Sequence, residues 1–521
     1  MPLPSNPGTP EHTEHAILGH LPRMDVEKGH DVLSELDNSQ MPLEGDESEP
    51  TDTQSHNSTA IGTPDTSSLK ERKEASVAVE SEPEPPKLPP KHGNRLTRYL
   101  LYNFFTSYRK SFAVIFFANI AVLIALTVKG NGTPPTEEVG SASSANLMVA
   151  ILFRQENFVN LVYEIFTCAP HSLPLWIRRR LAKVFHYGGF HSGCGTAAVF
   201  WYLLYTALAT KQYVEDKHSD VLANMITSWI LVTMFCFILG GAYPTFRVRY
   251  HDTFEAFHRF SGWIALCTFW VHNIFSAHIT ARHRDSTIGR VLVGSANFWC
   301  IIVSTACTLL SWSRLRLRKV YPEVLSDHAT RLHFRYKAMA PFYGVKLSDK
   351  PLTEWHAFAT IPDDDGKGFS VVVSNAGDWT KHHILNPPEK LWIRGYPLHG
   401  LLYTSKLFKQ IVVVATGSGI GPTLSLMFAD ITPRRVLWST PNPETTYGEG
   451  IIKTVRKADP NAIIWNTRKQ GRPDMVQMTY SLVRECNAEA VFIISNPKVT
   501  RKVVYGMETR GIPAYGAIFD S

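Results

Sequence analysis

Six apolar runs between residues 111 and 312 constrain the fold of this chain more than any other feature. They cover residues 111–128, 145–168, 195–210, 222–242, 260–278 and 296–312. Several of them approach the roughly 17–25 residues that a membrane-spanning helix needs, so we expect a bundle of six transmembrane helices. The second run is the least regular, because its FRQEN segment contains Arg154, Glu156 and Asn157. These polar groups either pair with neighbouring helices or line an electron or substrate path.

Basic residues around the apolar runs predict their orientation. Clusters of Arg and Lys precede the first run, separate the second from the third and the fourth from the fifth, and follow the sixth as SRLRLRK. The loops 129–144 and 211–220 carry little net charge. Positively charged loops stay on the cytoplasmic side, so we expect an integral membrane protein with both termini in the cytoplasm.

Two histidines, His258 and His272, lie fourteen residues apart in the fifth run. On a helix this spacing is about 21 Å and returns the second side chain to within roughly 40° of the first. Imidazoles inside a bilayer need a partner, and haem iron would be one. His191 can complete an inner bis-histidine site with His258, with His186 as its substitute, whereas Tyr205 stands at the depth of His272. His272 is therefore either an outer haem ligand or a hydrogen-bonded core histidine.

The N-terminal segment differs from the rest in charge. Residues 1–90 contain 18 acidic and 6 basic side chains, although the whole chain has a net charge of +7. With little apolar surface to bury, residues 1–94 are predicted to be a disordered acidic cytoplasmic tail. The basic remainder favours membrane orientation and dinucleotide phosphate binding over nucleic-acid binding. The seven cysteines form no CxxC pair and indicate neither a disulfide framework nor a zinc site.

The chain after the sixth run has the pattern of two further domains. Short segments such as HAFATI and FSVVVSNAG predict a small antiparallel barrel. KQIVVVATGSGIGPTLSLMFAD then places a strand, a glycine turn and a helix in succession, which suits a phosphate at a helix N-terminus. The later strands RVLWST, AIIWNT and AVFIIS predict a parallel sheet with a nucleotide at its carboxyl edge.

Six spans with spaced histidines, followed by WHAFAT, RGYP, ATGSGIGP and GRPD, resemble the ferric reductase and NADPH oxidase superfamily. FRQEN, PLWIRRRLAK and HSGCG are similar to its fungal TmpA-type transmembrane flavoproteins. The resemblance covers residues 95–521. It implies a six-helix transmembrane domain at 95–318, a ferredoxin-reductase-type β-barrel FAD domain at 319–405 and an α/β NADPH-binding domain at 406–521. It also implies the plasma membrane.

The resemblance assigns flavin contacts to positions that match the motifs of the superfamily. His356 and Phe358 would contact FAD, with a hydroxyl shifted to Thr360, and Gly395 and Gly400 would lie near its pyrophosphate. The alternative is an ordinary barrel strand.

The NADPH contacts follow in the same way. The glycine loop would comprise Thr416, Gly417, Gly419, Gly421 and Pro422. Arg468 and Arg472, with Lys469, would bind the 2′-phosphate, unless they form only a solvated basic turn. Ser495 stands where the superfamily has a cysteine beside the nicotinamide, and Phe519 would cover the flavin or belong to the core.

Together these assignments predict an NAD(P)H-dependent, ferric-reductase-like flavin oxidoreductase. Cytosolic NADPH would reduce FAD, which would pass single electrons to a haem held by His191 and His258. The acceptor could be ferric iron, another metal chelate, oxygen or an oxidised small metabolite. Two alternatives stay open, a haem-free membrane-anchored flavin reductase and a non-catalytic membrane protein that binds flavin or nucleotide for signalling.

Overall fold

The structure, a computed structural model, describes residues 88–517. Most of the predicted acidic tail and the predicted flavin-covering residue Phe519 lie outside the described residues. The last residues of that tail are described and contact the C-terminal part of the chain. The backbone N–H of His92 donates to the carbonyl of Thr509 at 2.8 Å, and Leu88 packs against the core on one face of the C-terminal sheet.

The first half of the described chain is helical. Its α-helices are α1 (Arg95–Arg98), α2 (Ser107–Lys129), α3 (Thr136–Leu152), α4 (Glu156–Thr167), α5 (Leu175–Leu181), α6 (Gly188–Glu215), α7 (Ser219–Gly241), α8 (Pro244–Arg249), α9 (His251–His283), α10 (Ile288–Gly294) and α11 (Ala296–Ser313). A π-helical turn, Tyr99–Phe104, follows α1, and a 3-10 turn, Ala182–His186, follows α5. Among the described residues, five helices (α2, α6, α7, α9 and α11) are long and apolar enough to cross a membrane, on length and composition alone.

The prediction of six spans is wrong at the second apolar run, which forms two separate helices. After α3 ends at Leu152, the Gln155 side chain accepts a hydrogen bond from the Phe158 N–H at 2.8 Å and caps α4. Glu156 in the first turn of α4 also suits the positive end of the helix dipole. The polar residues of FRQEN therefore begin a new helix instead of continuing the old one.

Aromatic side chains fill the core of the helical region. Tyr202 of α6 packs edge-on against Phe235 of α7, with ring centroids 5.4 Å apart, and against Phe269 of α9, at 5.3 Å. All three are almost fully buried. Large rings that meet edge to face hold these helices together through apolar burial and ring electrostatics.

Two four-stranded antiparallel sheets follow the helices, instead of the predicted closed barrel. Their strands are β1 (Arg316–Lys319), β2 (Tyr321–Ser326), β3 (Ala329–Phe334), β4 (Tyr343–Ser348), β5 (His356–Ala359), β6 (Ile361–Pro362), β7 (Phe369–Ser374) and β8 (Lys390–His399), with helix α12 (Asp378–Leu385) before β8. The strand orders are β1-β8-β4-β5 and β2-β3-β7-β6. No strand pair within the described residues joins the two sheets, so the barrel prediction is wrong. The chain crosses between them at Thr360, and both sheets keep open edges.

The C-terminal part contains a five-stranded parallel sheet. Its strands are β9 (Ile411–Thr416), β10 (Arg434–Thr440), β11 (Ile463–Asn466), β12 (Ala490–Ile494) and β13 (Ala514–Gly516), and its helices are α13 (Ile420–Ala429), α14 (Pro443–Ala458), α15 (Thr467–Gln470), α16 (Met475–Glu485) and α17 (Pro497–Glu508). The order is β11-β10-β9-β12-β13, with all pairs parallel. Val412, Val413 and Val414 in β9 are all fully buried, because both faces of the sheet are covered.

Residues 175–186 of the helical region pack into the core of this parallel sheet. Ala182 is fully buried in the cluster that contains Phe408, Phe492 and Tyr515. The Tyr515 hydroxyl donates to the carbonyl of Arg179 at 2.9 Å. These residues, which we call the inserted segment, connect the helical half of the chain to the parallel sheet.

A bidentate ion pair fixes the inserted segment. Arg178 Nη1 and Nη2 donate to the two carboxylate oxygens of Glu489 at 2.7 and 2.8 Å. Arg178 also donates to the carbonyls of Leu173 and Leu407, and its side chain is only 4% exposed. A buried guanidinium is tolerated only when its donors are used in this way.

Candidate functional site at the carboxyl edge of the parallel sheet

The carboxyl ends of the parallel strands form an edge with a topological switch point. From β9 the chain adds β10 and β11 on one side, then returns to add β12 and β13 on the other. The ends of β9 and β12 are therefore neighbours whose following loops diverge. In open α/β sheets, ligands bind in the crevice that such divergence creates.

The glycine turn after β9 is shaped by close backbone contacts. Gly417 has a φ of +51°, and its carbonyl accepts a hydrogen bond from the indole N–H of Trp438 at 3.0 Å. A Cβ on Gly419 would lie 2.0 Å from the carbonyl oxygen of Ile494 in β12. A Cβ on Gly421 would lie 3.3 Å from Val372 of the antiparallel sheets. The turn thus holds the N-terminus of α13 close to both sheets, where backbone N–H groups favour an anion.

Thr416 and Ser495 meet at the switch point. Their hydroxyl groups form a hydrogen bond across the ends of β9 and β12, and Ser495 is only 4% exposed. Pro422, also predicted to bind nucleotide, lies within the first turn of α13. The structure therefore brings Thr416, the three glycines, Pro422 and Ser495 into one region.

The predicted 2′-phosphate residues lie at the far side of this edge. Arg468 and Lys469 belong to α15, directly after the edge strand β11, and Arg472 follows that short helix. Asn466 at the end of β11 accepts hydrogen bonds from the N–H groups of Arg468 (3.0 Å) and Asn442 (3.1 Å). This cap fixes the backbone of the basic turn, and the side chains of Arg468 and Arg472 project from it with high exposure.

The predicted flavin residues surround an indole ring. The rings of His356 and Trp379 stack with centroids 4.3 Å apart, and Phe358 lies 5.8 Å from the same indole. His383 meets the indole at 4.1 Å, and both of its ring nitrogens lack a hydrogen-bond partner within the described residues. Burial lowers the pKa of His383, which favours the neutral ring. The structure therefore brings His356 and Phe358, both predicted to contact a flavin, together around one indole ring.

Thr360 does not contribute to these ring contacts. It is fully buried, and both its backbone N–H (2.8 Å) and its hydroxyl (2.9 Å) donate to the carbonyl of Tyr343. Its hydroxyl is thereby used where the chain crosses between the sheets.

The two predicted pyrophosphate glycines differ from each other. Gly395 has a φ of +73°, and a Cβ there would lie 2.5 Å from a carboxylate oxygen of Glu156. Gly400 is open, and next to it His399 stacks between Tyr343 (4.4 Å) and Tyr403 (3.7 Å). The space over Gly395 thus holds a side chain from the helical region.

The predicted haem ligands fall into two environments. The rings of His191 and His258 lie 6.2 Å apart with planes inclined by 59°, and His191 Nδ1 is 2.8 Å from the carbonyl oxygen of Ala150. His272 packs against Tyr205 at 5.3 Å, and its Nδ1 lies 3.0 Å from the Thr227 hydroxyl. The cavity beside His272 is about 20 Å³, enough for about one water and far too small for a macrocycle.

Metal binding finds no other support in the described part of the chain. No group of three or more His, Cys, Asp or Glu residues there is placed to hold a metal ion. For His272 the alternative of a hydrogen-bonded core histidine fits the observed contacts.

Sequence reasoning missed two features of the site. Trp379 at the start of α12 supplies the central ring of the aromatic cluster, and its indole N–H donates to Asp349 at 2.8 Å. Glu156 reaches Gly395 from a different part of the chain. A tryptophan at the start of a short helix gives no local signal of the rings that it stacks on. The Glu156 contact joins positions that are far apart in sequence.

The nucleotide edge and the aromatic cluster belong to adjoining parts of the structure. The N–H of Phe342, just before β4, donates to Ser425 of α13 at 2.6 Å, and α13 also packs against β5, β6 and β7. The helix that follows the glycine turn therefore contacts the strand that carries His356 and Phe358.

Comparisons with known proteins find relatives outside the predicted superfamily. Residues 401–521 match a family model described as the C-terminal domain of adenylate-forming reductase 03009. Adenylate-forming reductase 03009 of Coprinopsis cinerea is 46% identical over 433 residues, which are 83% of this chain and 42% of that protein. Adenylate-forming reductase 06235 of the same fungus is 44% identical over 436 residues, again 83% of this chain and 42% of the relative. The chain thus spans about two fifths of the length of these relatives.

Solved structures give only a weak likeness. A ferredoxin NADP+ reductase from Neisseria gonorrhoeae with bound FAD and NADP aligns with a TM-score of 0.33 and 12% identity, over 39% of this chain and 99% of that one. A ferredoxin-NADP+ reductase from Plasmodium falciparum with 2′P-AMP has a TM-score of 0.30, covering 39% of this chain and 95% of its own. With TM-scores this low, nothing about the fold or function of this chain is inferred from these structures.

The family comparisons correct several predictions. The resemblance to the ferric reductase and NADPH oxidase superfamily, and to its TmpA-type branch, is wrong, because the similar proteins are adenylate-forming reductases. The transmembrane electron-transfer function and the plasma-membrane localisation, which that resemblance implied, are wrong for the same reason. The integral membrane protein with both termini in the cytoplasm, which the basic loops predicted, is contradicted by the same relatives. Haem has no support from these relatives. The names of both relatives agree with the coarser part of the enzyme prediction, a reductase, and not with its ferric-reductase part.

Proposed function

We propose that this chain is a reductase that binds NADPH at the carboxyl edge of its parallel sheet and FAD at the aromatic cluster around Trp379. The observation that carries the proposal is the switch point, where the glycine turn and the bonded hydroxyls of Thr416 and Ser495 meet. When bound, NADPH supplies a hydride and the flavin accepts it.

The residues at the edge have distinct tasks in this proposal. The glycines bring backbone N–H groups against the dinucleotide phosphates. The close approach of Gly419 to the Ile494 carbonyl, which leaves no room for a Cβ, supports this role. Ser495, held by Thr416, orients the nicotinamide end. Arg468 and Arg472 bind the 2′-phosphate through charge-assisted hydrogen bonds and so select NADPH over NADH.

The aromatic cluster supplies the flavin surface. His356 and Phe358 present rings on one face of β5, because alternate residues of a strand share a face. Trp379 and His383 close that surface from α12. The packing of α13 against β5 supports this arrangement, because it joins the helix after the glycine turn to the strand that carries His356 and Phe358.

The relatives add a proposal about context. Their name joins adenylate formation to reduction, and the family model matched by residues 401–521 describes a C-terminal domain. We therefore propose that this chain carries out the reduction and not the adenylate formation. Its electron acceptor is then a small molecule.

The test is NADPH oxidation by the purified chain with ferricyanide as an artificial acceptor, together with the amount of FAD bound per protein. We expect one FAD per chain and oxidation that prefers NADPH. The variants Arg468→Ala and Arg472→Ala should each lower kcat/KM for NADPH by about 10-fold and leave NADH oxidation unchanged, because only the 2′-phosphate contact is lost.

Arg484→Ala is the matched control, since Arg484 is an exposed arginine on α16 outside the edge. It should change neither activity. A protein that binds no flavin, or one whose arginine variants lose NADH and NADPH oxidation equally, contradicts the proposal.

A further inference from the structure

A cavity in the helical region has no residue in common with the nucleotide edge or the aromatic cluster. Its volume is about 450 Å³, which is within the range of small-molecule sites. Three helices contribute its lining, which consists of Ser219 and Asp220 of α7, Ile274, Phe275 and His278 of α9, and Ile288 of α10. The lining therefore combines an apolar part with a small polar end.

The apolar part follows from the spacing of residues on α9 and from the start of α10. Ile274 and Phe275 precede His278 by four and three positions, so the three side chains are neighbours on one helix face. The Thr287 side chain caps α10, which packs against α9. Ile288, the first residue of α10, is thereby held beside that face.

The polar end is built around the carboxylate of Asp220, whose side chain is only 7% exposed. Its Oδ2 accepts a hydrogen bond from Nδ1 of His278 at 3.1 Å. Its Oδ1 accepts from the Val221 N–H at 3.0 Å and from Nδ1 of His218. Hydrogen bonds to both oxygens favour the ionised form of a carboxyl group. Because an ionised carboxylate can only accept, both imidazoles carry a hydrogen on Nδ1.

This arrangement gives His278 a hydrogen-bond acceptor. With its hydrogen on Nδ1, the neutral ring has a lone pair on Nε2. The His278 side chain is 48% exposed, so the ring can be reached from the cavity that it lines. A carboxylate bound to one ring nitrogen fixes the tautomer and the orientation of a histidine. The cavity thus offers an oriented acceptor beside apolar side chains.

The carboxylates at this end of the helices already have partners. Asp216 Oδ2 accepts from Arg282 Nη2 at 2.9 Å, and the same nitrogen lies 3.6 Å from Asp220 Oδ1. A cationic ligand would have to compete with this arginine and with the two imidazoles. An uncharged ligand that donates one hydrogen bond needs only Nε2 of His278.

We propose that this cavity binds a small uncharged molecule with an apolar body and a hydroxyl group, which is an alcohol or a phenol. The hydroxyl donates to Nε2 of His278, and the body contacts Ile274, Phe275 and Ile288. Asp220 is a positioning residue that holds the imidazole. This inference does not depend on the proposed function.

The position of the cavity separates it from the proposed path of the hydride. Near its start, α9 meets the loop before β5, where the Arg259 guanidinium donates to the carbonyls of Leu352 and Thr353. His278 follows Arg259 by nineteen residues, which is roughly 28 Å along a helix. The alcohol or phenol site is therefore a second site and not the place of hydride transfer.

Titration of the purified chain with para-trifluoromethylphenol, followed by fluorine NMR, tests the site. The methyl ether of this phenol is the matched ligand, because it keeps the apolar body and lacks the donor. We expect the phenol to bind about 10-fold more tightly than the ether, and His278→Leu to reduce the affinity for the phenol to that for the ether. His283→Leu, at an exposed position of α9 outside the cavity, should bind the phenol as the unchanged protein does.

Two further variants keep the test independent of any single substitution. Ile288→Trp fills the cavity from an exposed position and should abolish binding of both ligands there, so binding that persists in this variant belongs to another surface. Asp220→Asn can no longer accept from both imidazoles, and it should lower the phenol-to-ether affinity ratio without weakening the ether.

Three results would overturn the proposal: no binding of the phenol, equal affinities of phenol and ether for the unchanged protein, or phenol affinity unchanged in His278→Leu and in Ile288→Trp. Equal losses of phenol and ether binding in Asp220→Asn would contradict the positioning role of Asp220. Far-UV circular dichroism of each variant checks that its helices are retained.

Discussion

The nucleotide edge and the contact of α4 with the first antiparallel sheet differ in how their residues are spread along the chain. Thr416, the three glycines and Pro422 lie within seven consecutive positions, and Ser495 joins them from elsewhere in the chain. At the contact, Glu156 of α4 lies 3.8 Å from Lys346 of β4 and directly over Gly395 of β8. Its carboxylate accepts a hydrogen bond from Ser311 of α11. A site made from one turn depends on local backbone geometry. A site made from distant elements depends on how the helical region docks on the sheets.

The largest effect on stability is expected where the inserted segment docks on the parallel sheet. Replacing Arg178 by Met leaves Glu489 without its bidentate partner, although its side chain is only 20% exposed. We expect the free energy of unfolding to fall by about 3–5 kcal/mol, as for other broken buried pairs. Urea unfolding measures the loss. The double variant Arg178→Met with Glu489→Gln should recover part of it, and equal stability of all three proteins would show that this pair does not fix the inserted segment.

The same pair should make stability depend on pH. Hydrogen bonds from Arg178 lower the pKa of Glu489 in the folded state. The pair therefore stabilises the fold above the ordinary glutamate pKa of about 4.3, and this stability is lost as the pH falls through the lower folded-state pKa. The free energy of unfolding should therefore fall less steeply with decreasing pH across this range in Arg178→Met than in the unchanged protein. Parallel declines would contradict the assignment.

The next largest effect is expected at the nucleotide edge, where a single added methyl group should disturb the glycine turn. In Gly419→Ala the new Cβ would approach the Ile494 carbonyl to 2.0 Å, and both are backbone positions of packed elements. We expect a loss of about 3 kcal/mol in stability and of NADPH binding. Gly450→Ala is the control, because nothing lies within 4 Å of a Cβ on this exposed helical residue. It should raise stability by about 0.5–1 kcal/mol. NADPH affinity unchanged in Gly419→Ala would show that the turn does not bind the dinucleotide.

The smallest effect is expected where α4 meets β8. Asn160 donates to the Pro397 carbonyl and accepts from the His399 N–H, both at 2.8 Å. Asn160→Ala leaves two backbone groups without these partners and should cost about 1–2 kcal/mol in urea unfolding. Asn157→Ala, at an exposed position of the same helix, should cost less than 0.5 kcal/mol, about the usual range for surface changes. Equal losses in the two variants would contradict a specific role for Asn160.

The sequence was informative where structure is local. The strand, glycine turn and helix over residues 411–429 could be recognised because each element has its own pattern within a few residues. Long apolar helices such as α7 and α9 were likewise marked by composition. The short motifs misled about family, since a glycine turn or a basic turn reports phosphate chemistry that unrelated nucleotide-binding proteins share.

Non-local features could not be predicted in this way. Whether eight short strands close a barrel or form two sheets depends on which edges pair, and single strands do not encode this. The break at Gln155 follows from a capping bond that competes with helix continuation. The contact of Glu156 with Gly395 joins residues 239 positions apart and becomes visible only in the folded chain.

The inserted segment at residues 175–186 affects how this chain could be recombined with its relatives. Ala182 and its neighbours belong to the same core as Phe408 and Tyr515, although they precede every strand in sequence. A chimaera that exchanges only the strand-containing half would separate that core from part of its own packing. The smallest exchangeable unit therefore begins before α5. Residues 175–186 and the parallel sheet should accordingly have been inherited together.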